Sequence, residues 1–206
     1  MFVCSARLFS QRTDPPLLCG GSLANSRANY KGTDMKEKTL KKKKIYAGKV
    51  FTLESHTISI SKTKTSVRDI IKHPGAVAII PILPDGKIVM VKQYRKAVEK
   101  NLYEIPAGTR EPGERPLSCV KRELLEETGY VAKKISPLLR MYPAPGYTSE
   151  EIHIYAAHQL TLKEACPEED ESIEVEAFTP TKLKKMIKDG KIKDGKTVVG
   201  LLYLLK

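Results

Sequence analysis

Residues 108–130 read G-T-R-E-P-G-E-R-P-L-S-C-V-K-R-E-L-L-E-E-T-G-Y, and their second half predicts a helix over 116–128. Pro116 suits a first helical turn, Leu117, Val120, Leu124 and Leu125 give an apolar stripe, and Gly129 stands where the helix should stop. On that helix Glu123 and Glu127 are four residues apart and share a face, with Glu126 beside them. Like charges so placed cost an isolated helix about 0.2–0.5 kcal/mol per pair. The cost vanishes when a divalent cation sits among the carboxylates, and for such hard oxygen ligands the cation is Mg2+ or Mn2+, with substrate phosphate as its usual partner. A solvated charged face is the competing reading of any such run, so the flanking residues decide.

Those residues form the pattern G-x5-E-x7-R-E-L-x-E-E-x-G, filled by Gly108, Glu114, Arg122, Glu123, Leu124, Glu126, Glu127 and Gly129. So many fixed positions at fixed spacing leave little room for chance. The stretch resembles the signature of the Nudix hydrolases, enzymes that cleave a nucleoside diphosphate linked to another moiety. Tyr130 is the loose position, standing where an aliphatic residue is more usual.

Composition fits that reading. The 206 residues are one domain's worth, or one domain with an arm, with 41% hydrophobic and 29% charged residues, as in ordinary globular proteins. No apolar run approaches membrane-spanning length, which argues against a membrane partner. Cys4, Cys19, Cys119 and Cys166 are scattered, with no C-x-x-C, so neither a zinc site nor a disulfide scaffold is indicated, and a reducing, cytoplasmic interior is the simplest home. The net charge of +12 raises nucleic acid as a partner, but residues 1–50 hold eleven Lys and Arg against three Asp and Glu, so most of the excess lies at the front. The densest point, residues 41–44, has no interleaved aromatic side chains and reads as a solvated lead-in to a strand. His56, His73, His153 and His158 form no metal-spaced helical pair, and neither G-x-S-x-G nor a P-loop occurs.

Along the chain, residues 1–34 carry no sustained period and predict no packed structure. Arg7, Arg12 and Arg27 faintly resemble an organelle transit peptide without a clear amphipathic helix, and Met35 offers an alternative natural start; both readings stay open. Strands are expected within 45–60 and at 67–71, then a buried strand at 76–83, a tight turn at 84–87 and a hairpin return at 88–93. Further strands are expected at 135–142, 152–160 and 173–178, and helices at 180–189 and 194–205. Strands mixed with a few helices predict an α/β or α+β sandwich.

Outside the box, residues 36–206 resemble the ADP-ribose pyrophosphatase branch of the Nudix family. The likeness is carried by Arg68-Asp69, His73-Pro74-Gly75-Ala76, Val91-Lys92-Gln93-Tyr94-Arg95, Glu104-Ile105-Pro106-Ala107-Gly108 and Pro145-Gly146-Tyr147-Thr148-Ser149-Glu150. Pro145 lies sixteen positions after Gly129, the spacing that marks this branch. The resemblance implies an α/β/α sandwich around a mixed β-sheet, preceded by an amino-terminal antiparallel strand region at 35–73 that contributes to a homodimer, with the hydrolase domain at 74–206. It implies metals on Glu123 and Glu127, with Glu126 close by and the Ala107 carbonyl as a further ligand. Glu114 and Arg122 become a structural pair between Gly108 and Gly129, bracing the loop on the helix. The expected reaction is Mg2+-dependent hydrolysis of ADP-ribose to AMP and ribose 5-phosphate, with Mn2+ as alternative cation.

By the same likeness Glu169, in the acidic run 168–171, is the expected general base and Glu171 a carboxylate on the metal side. Arg68 and Asp69 are matched to purine contacts, from the partner subunit in a dimer, and Arg95 to a phosphate or carboxylate. Thr109 and the Ala144-Pro145-Gly146 turn border the terminal ribose, with Glu150 accepting from its hydroxyls. The departures from the branch are Pro116 inside the box, Ala144 where serine is common, and the basic front extension. A broader taste, for sugar nucleotides, NADH or modified nucleotides, is the alternative within the family. A binding module that had lost catalysis would lack box glutamates, and none is missing here.

Overall fold

The computed structural model describes residues 36–163 and 173–206. It begins with three antiparallel strands in the order β1 (Lys38–Ala47), β2 (Thr52–Ser59) and β3 (Thr65–Lys72). The lysine run 41–44 is not a lead-in: its four residues are inside β1, paired in register with residues 54–57 of β2. Every residue of β1 is exposed and the strand is an edge, where lysines keep charge in water and discourage stray pairing.

β4 (Ala76–Pro81) is buried along its whole length. Alternation sends Ala76, Ala78 and Ile80 to one apolar cluster, with Ile105, Ile154 and Leu201, and sends Val77 and Ile79 to a second, with Cys119, Val120 and Leu124. The expected turn after it forms, with Gly86 at φ 79° and its N–H donating to the Leu83 carbonyl at 2.9 Å. The hairpin does not. β5 (Ile88–Arg95) meets this strand only through an isolated bridge between Ile82 and Ile88. Both edges of β4 are already taken, one by β7 and one by β9, so β5 joins a different sheet.

β6 (Lys100–Glu104) and β7 (Ala107–Thr109) were not foreseen, and at five and three residues they are too short to display a readable alternation. α1 (Pro116–Thr128) has the expected bounds, Pro116 in its first turn and Gly129 at φ 72° closing it through an N–H to the Leu125 carbonyl. β8 (Tyr130–Met141) starts directly from that stop, five residues before the expected strand, and runs antiparallel to β9 (Ile152–Leu162). β9 is parallel to β4, giving a mixed sheet in the order β7-β4-β9-β8. β10 (Ile173–Phe178) pairs with β5, and β6 flanks β5 on its other side.

α2 (Pro180–Lys188) is capped by Thr179, and α3 (Gly195–Leu204) by Asp194, whose side chain accepts from Thr197 N. A Cβ on Gly200 would lie 3.3–3.4 Å from Ile80, Ile105 and Ile154, so α3 rests closely on the first cluster. α1 covers the opposite face of β4 through Cys119, Val120 and Leu124. Helices therefore lie on both faces of β4, the α/β/α arrangement. Residues 37–206 constitute one unit.

Candidate active site

β7 separates two cavities, and Ala107, Gly108 and Thr109 line both. The larger, about 450 Å3, has the box on its wall through Arg110, Arg122, Glu123 and Glu126. The smaller, about 330 Å3, is lined by Arg95, Pro143, Glu150, Asp194 and Lys196 among others.

On the helix side, burial makes the carboxylates costly unless they are bonded. Glu127, 5% exposed, accepts from the Ala107 N–H at 3.0 Å and so ties α1 to β7. Glu123, 8% exposed, lies against Gly108, where a Cβ would come within 1.9 Å of its carboxylate. Arg122 gathers three acids: Nη1 lies 2.7 Å from Glu123 Oε1 and 2.9 Å from Glu126 Oε2, while Nη2 donates to Glu114 Oε2 at 3.1 Å. Glu114 also accepts from the Glu111 N–H at 3.0 Å, and its carbonyl accepts from Arg110 Nη2 at 2.7 Å, which closes the loop before α1.

These bonds bias protonation. The Arg122 guanidinium holds the Glu114 carboxyl down to about 2, and the Glu114 hydrogen bond raises Arg122 in turn. Burial, with the neighbouring Glu114 and Glu123, pushes the Cys119 thiol up to about 12, so it stays a packing group. Because the folded Glu114 binds its proton more weakly than the unfolded chain, stability is gained above the ordinary carboxylate pKa of 4.5 and lost as pH falls toward about 2. Thermal midpoints recorded across that window should fall more steeply for the wild type than for Glu114→Gln. Parallel curves would contradict it.

On the other side of β7, Arg95 Nε and Nη2 donate to the two oxygens of Glu104 at 2.8 Å each, and Lys196 Nζ contacts Glu104 Oε2 as well as Asp194 Oδ2 at 3.1 Å. Burial alone would raise the Glu104 carboxyl, but the bonds and charges of Arg95 and Lys196 prevail and hold it below its ordinary value. The loop carrying Glu150 is tied to β3, since Ile71 N donates to the Tyr147 carbonyl at 2.8 Å and Ser149 N to the Ile71 carbonyl at 2.9 Å. Of that loop, Pro143 and Glu150 reach the cavity wall, whereas Ala144, Pro145 and Gly146 do not; the Ala144 carbonyl instead accepts from Tyr147 and Thr148.

Residues 72–198 match the NUDIX domain. The chain belongs to the Nudix hydrolase family. It is 41% identical over 172 residues to an ADP-ribose pyrophosphatase of Bacillus subtilis (strain 168), covering 82% of this chain and 93% of that protein. To the methanol dehydrogenase activator of Bacillus methanolicus it is 42% identical over 175 residues, covering 84% and 95%. The crystal structure of an ADP compounds hydrolase aligns at a TM-score of 0.72 and 23% identity, over 82% of this chain and 92% of the other, a likeness of fold.

Within this Nudix fold, the donors around β7 suit a divalent cation in kind: the Glu123, Glu126 and Glu127 carboxylates with the Ala107 carbonyl are hard oxygen ligands, and the bare Cα of Gly108 leaves the room that Glu123 occupies. Among the described residues no three His, Cys, Asp or Glu side chains converge into a ready-made cage, and Arg122 holds two of these carboxylates. Arg95, Thr109 and Glu150 are brought to one cavity. Arg68 and Asp69 line neither; Arg68 Nη2 donates to Glu37 Oε1 at 2.7 Å, and Asp69 is exposed opposite Ser55. Glu169 and Glu171 lie outside the described residues.

Several residues at these cavities escaped the sequence. Lys49 and Val50, in the turn between β1 and β2, line the box cavity without any motif to announce them. Glu104 and Lys196 are 92 residues apart, and although the Asp194 helix start was legible, nothing local signals that the lysine after it meets a buried glutamate.

Proposed function

We propose that this Nudix hydrolase cleaves the pyrophosphate of ADP-ribose, giving AMP and ribose 5-phosphate, with Mg2+ as its cation and Mn2+ as a substitute. The observation that carries the reading is the shared wall: carboxylates border one side of Gly108, and Arg95 and Glu150 border the other. A diphosphate crossing that glycine would meet acidic metal-binding groups at one end and a guanidinium at the other. The 41% identity to a protein named ADP-ribose pyrophosphatase supports the choice of substrate.

Glu123, Glu126, Glu127 and the Ala107 carbonyl would hold the cation, which supplies charge neutralisation at phosphate oxygens and a more acidic water. Arg122 keeps the helix acids in place through its bonds to Glu123 and Glu126. Arg95 offers Nη1, the arm of its guanidinium not spent on Glu104, to a phosphoryl oxygen. Glu150 accepts from the terminal ribose hydroxyls, beside Thr109 and Pro143. Glu169 takes the proton from the attacking water, and Glu171 adds a carboxylate on the metal side. Arg68 and Asp69 serve the purine of a neighbouring subunit, in a cytoplasmic homodimer; exposed Leu40, Ile45, Tyr46 and Val67 supply apolar surface for that contact.

A phosphate-release screen coupled to a phosphatase tests the reading, over ADP-ribose, other ADP-sugars, NADH, diadenosine polyphosphates and nucleoside triphosphates. ADP-ribose should have the highest kcat/KM, chelation of divalent cations should abolish turnover, and light scattering should give twice the chain mass. Faster hydrolysis of triphosphates would refute the substrate assignment, and a monomer would refute the role given to Arg68.

A further inference from the structure

We propose that Glu104 is a positioning residue of the substrate site, holding Arg95 and Lys196 as a fixed pair of cations that receive the phosphate adjoining the terminal sugar. The inference rests on the hydrolase reading above and adds to it a side chain on the far side of the pocket wall.

Glu104 ends β6 and is 2% exposed, so its charge is tolerable only if its oxygens are fully engaged. They are engaged by two residues that both line the smaller cavity. Arg95 gives Nε and Nη2 in the bidentate manner, which fixes the guanidinium plane. Its Nη1 makes no hydrogen bond among the described residues, leaving that arm of the fork for a ligand. Lys196, with 12% of its side chain exposed, spends two of its three donors on Glu104 and Asp194.

The three elements are also pinned through the backbone. Ile105 N donates to Thr197 Oγ1 at 2.9 Å, and Thr197 Oγ1 donates to Asp194 Oδ2 at 2.6 Å, so the residue after Glu104 is anchored to the first turn of α3. Arg95 on β5, Glu104 on β6 and Lys196 on α3 therefore meet at a point that neither cation could hold alone. A loose arginine and a loose lysine would each lose rotamer freedom when a phosphate arrived; here Glu104 has already imposed that order. Glu104 and Asp194 balance the two charges, so what the pair offers is directed donors, and the group they suit is compact, anionic and rich in acceptors. Beside Glu150 and Pro143 it is the phosphate of the sugar half of the substrate, not that of the adenosine half.

The test compares wild type, Glu104→Gln, Lys196→Ala and Lys196→Arg as full-length chains, by steady-state hydrolysis of ADP-ribose and by calorimetric titration with ribose 5-phosphate and with AMP. Glu104→Gln and Lys196→Ala should raise KM about tenfold with kcat within about threefold, and lower the affinity for ribose 5-phosphate about tenfold while AMP binds as before. Lys196→Arg, which keeps the charge in a different shape, should recover part of the loss. Equal weakening of both products, a fall in kcat at constant KM, unchanged affinities, or no binding of ribose 5-phosphate by the wild type would each overturn the proposal. If Glu104→Gln does not fold, Glu104→Asp, which keeps the charge but draws it back from both cations, decides it by the same two measurements. Wild type that leaves ADP-ribose intact, with the expected loss of ribose 5-phosphate binding in the variants, would refute the substrate reading alone; wild type that hydrolyses it while the variants bind normally would refute the role of Glu104 alone.

Discussion

Glu127→Gln should lower kcat by about 10²–10³-fold while leaving the fold intact. The amide keeps an oxygen that can accept the Ala107 N–H, now bonded to Glu127 Oε2 at 3.0 Å, so the tie between α1 and β7 survives. What disappears is one negative charge from a group of three carboxylates, of which Arg122 engages Glu123 and Glu126. Thermal stability should change little or even rise, because a buried charge is removed. Titration with Mg2+ or Mn2+ should show weakened binding alongside the lost turnover. Wild-type turnover with undiminished ion affinity would remove the helix acids from the chemistry.

Gly108→Ala is the second large effect, and its cause is steric. The new methyl would lie 1.9 Å from the Glu123 carboxylate carbon and 2.4 Å from its second oxygen. These atoms are the end of a flexible side chain, so the carboxylate swings away before the backbone of β7 gives. Displacing a reacting constellation by about 1 Å can cost about 10²-fold, and kcat should fall on that scale while the melting temperature moves by only a few degrees. The opposite result, a collapsed fold whose remaining native fraction turns over normally, would mean that Gly108 serves β7 and not Glu123.

The parts of the molecule that announced themselves are those governed by local rules. α1 was readable to the residue because proline, a helical apolar stripe and a left-handed glycine are each local, and β10 was readable because it is short, branched and bounded. The hairpin after residue 83 was misread because the turn chemistry is local while the choice of partner strand is not: β7 and β9 claim the two edges of β4 from 20 or more residues away. The lysines of β1 were misplaced for a related reason, since an edge strand with both faces wet has no apolar alternation to betray it. In the site, the box glutamates followed from spacing, whereas Glu104 and Lys196 depend on a contact across 92 residues. Arg68 and Asp69 stand apart from both cavities, because β3 holds them away from the walls that the box and β7 form.

The occupied edges of β4 have an effect beyond topology. A strand refused by its neighbour is expelled to another layer, and β5 carries Arg95 with it to the side of β7 away from Glu123 and Glu126. Each side is thereby left with its own ion pairs, Arg122 with Glu123 and Glu126 at one cavity and Arg95 with Glu104 at the other. A molecule long enough to span Gly108 meets two separately paired sets of charge, and only its passage brings them to bear on one bond.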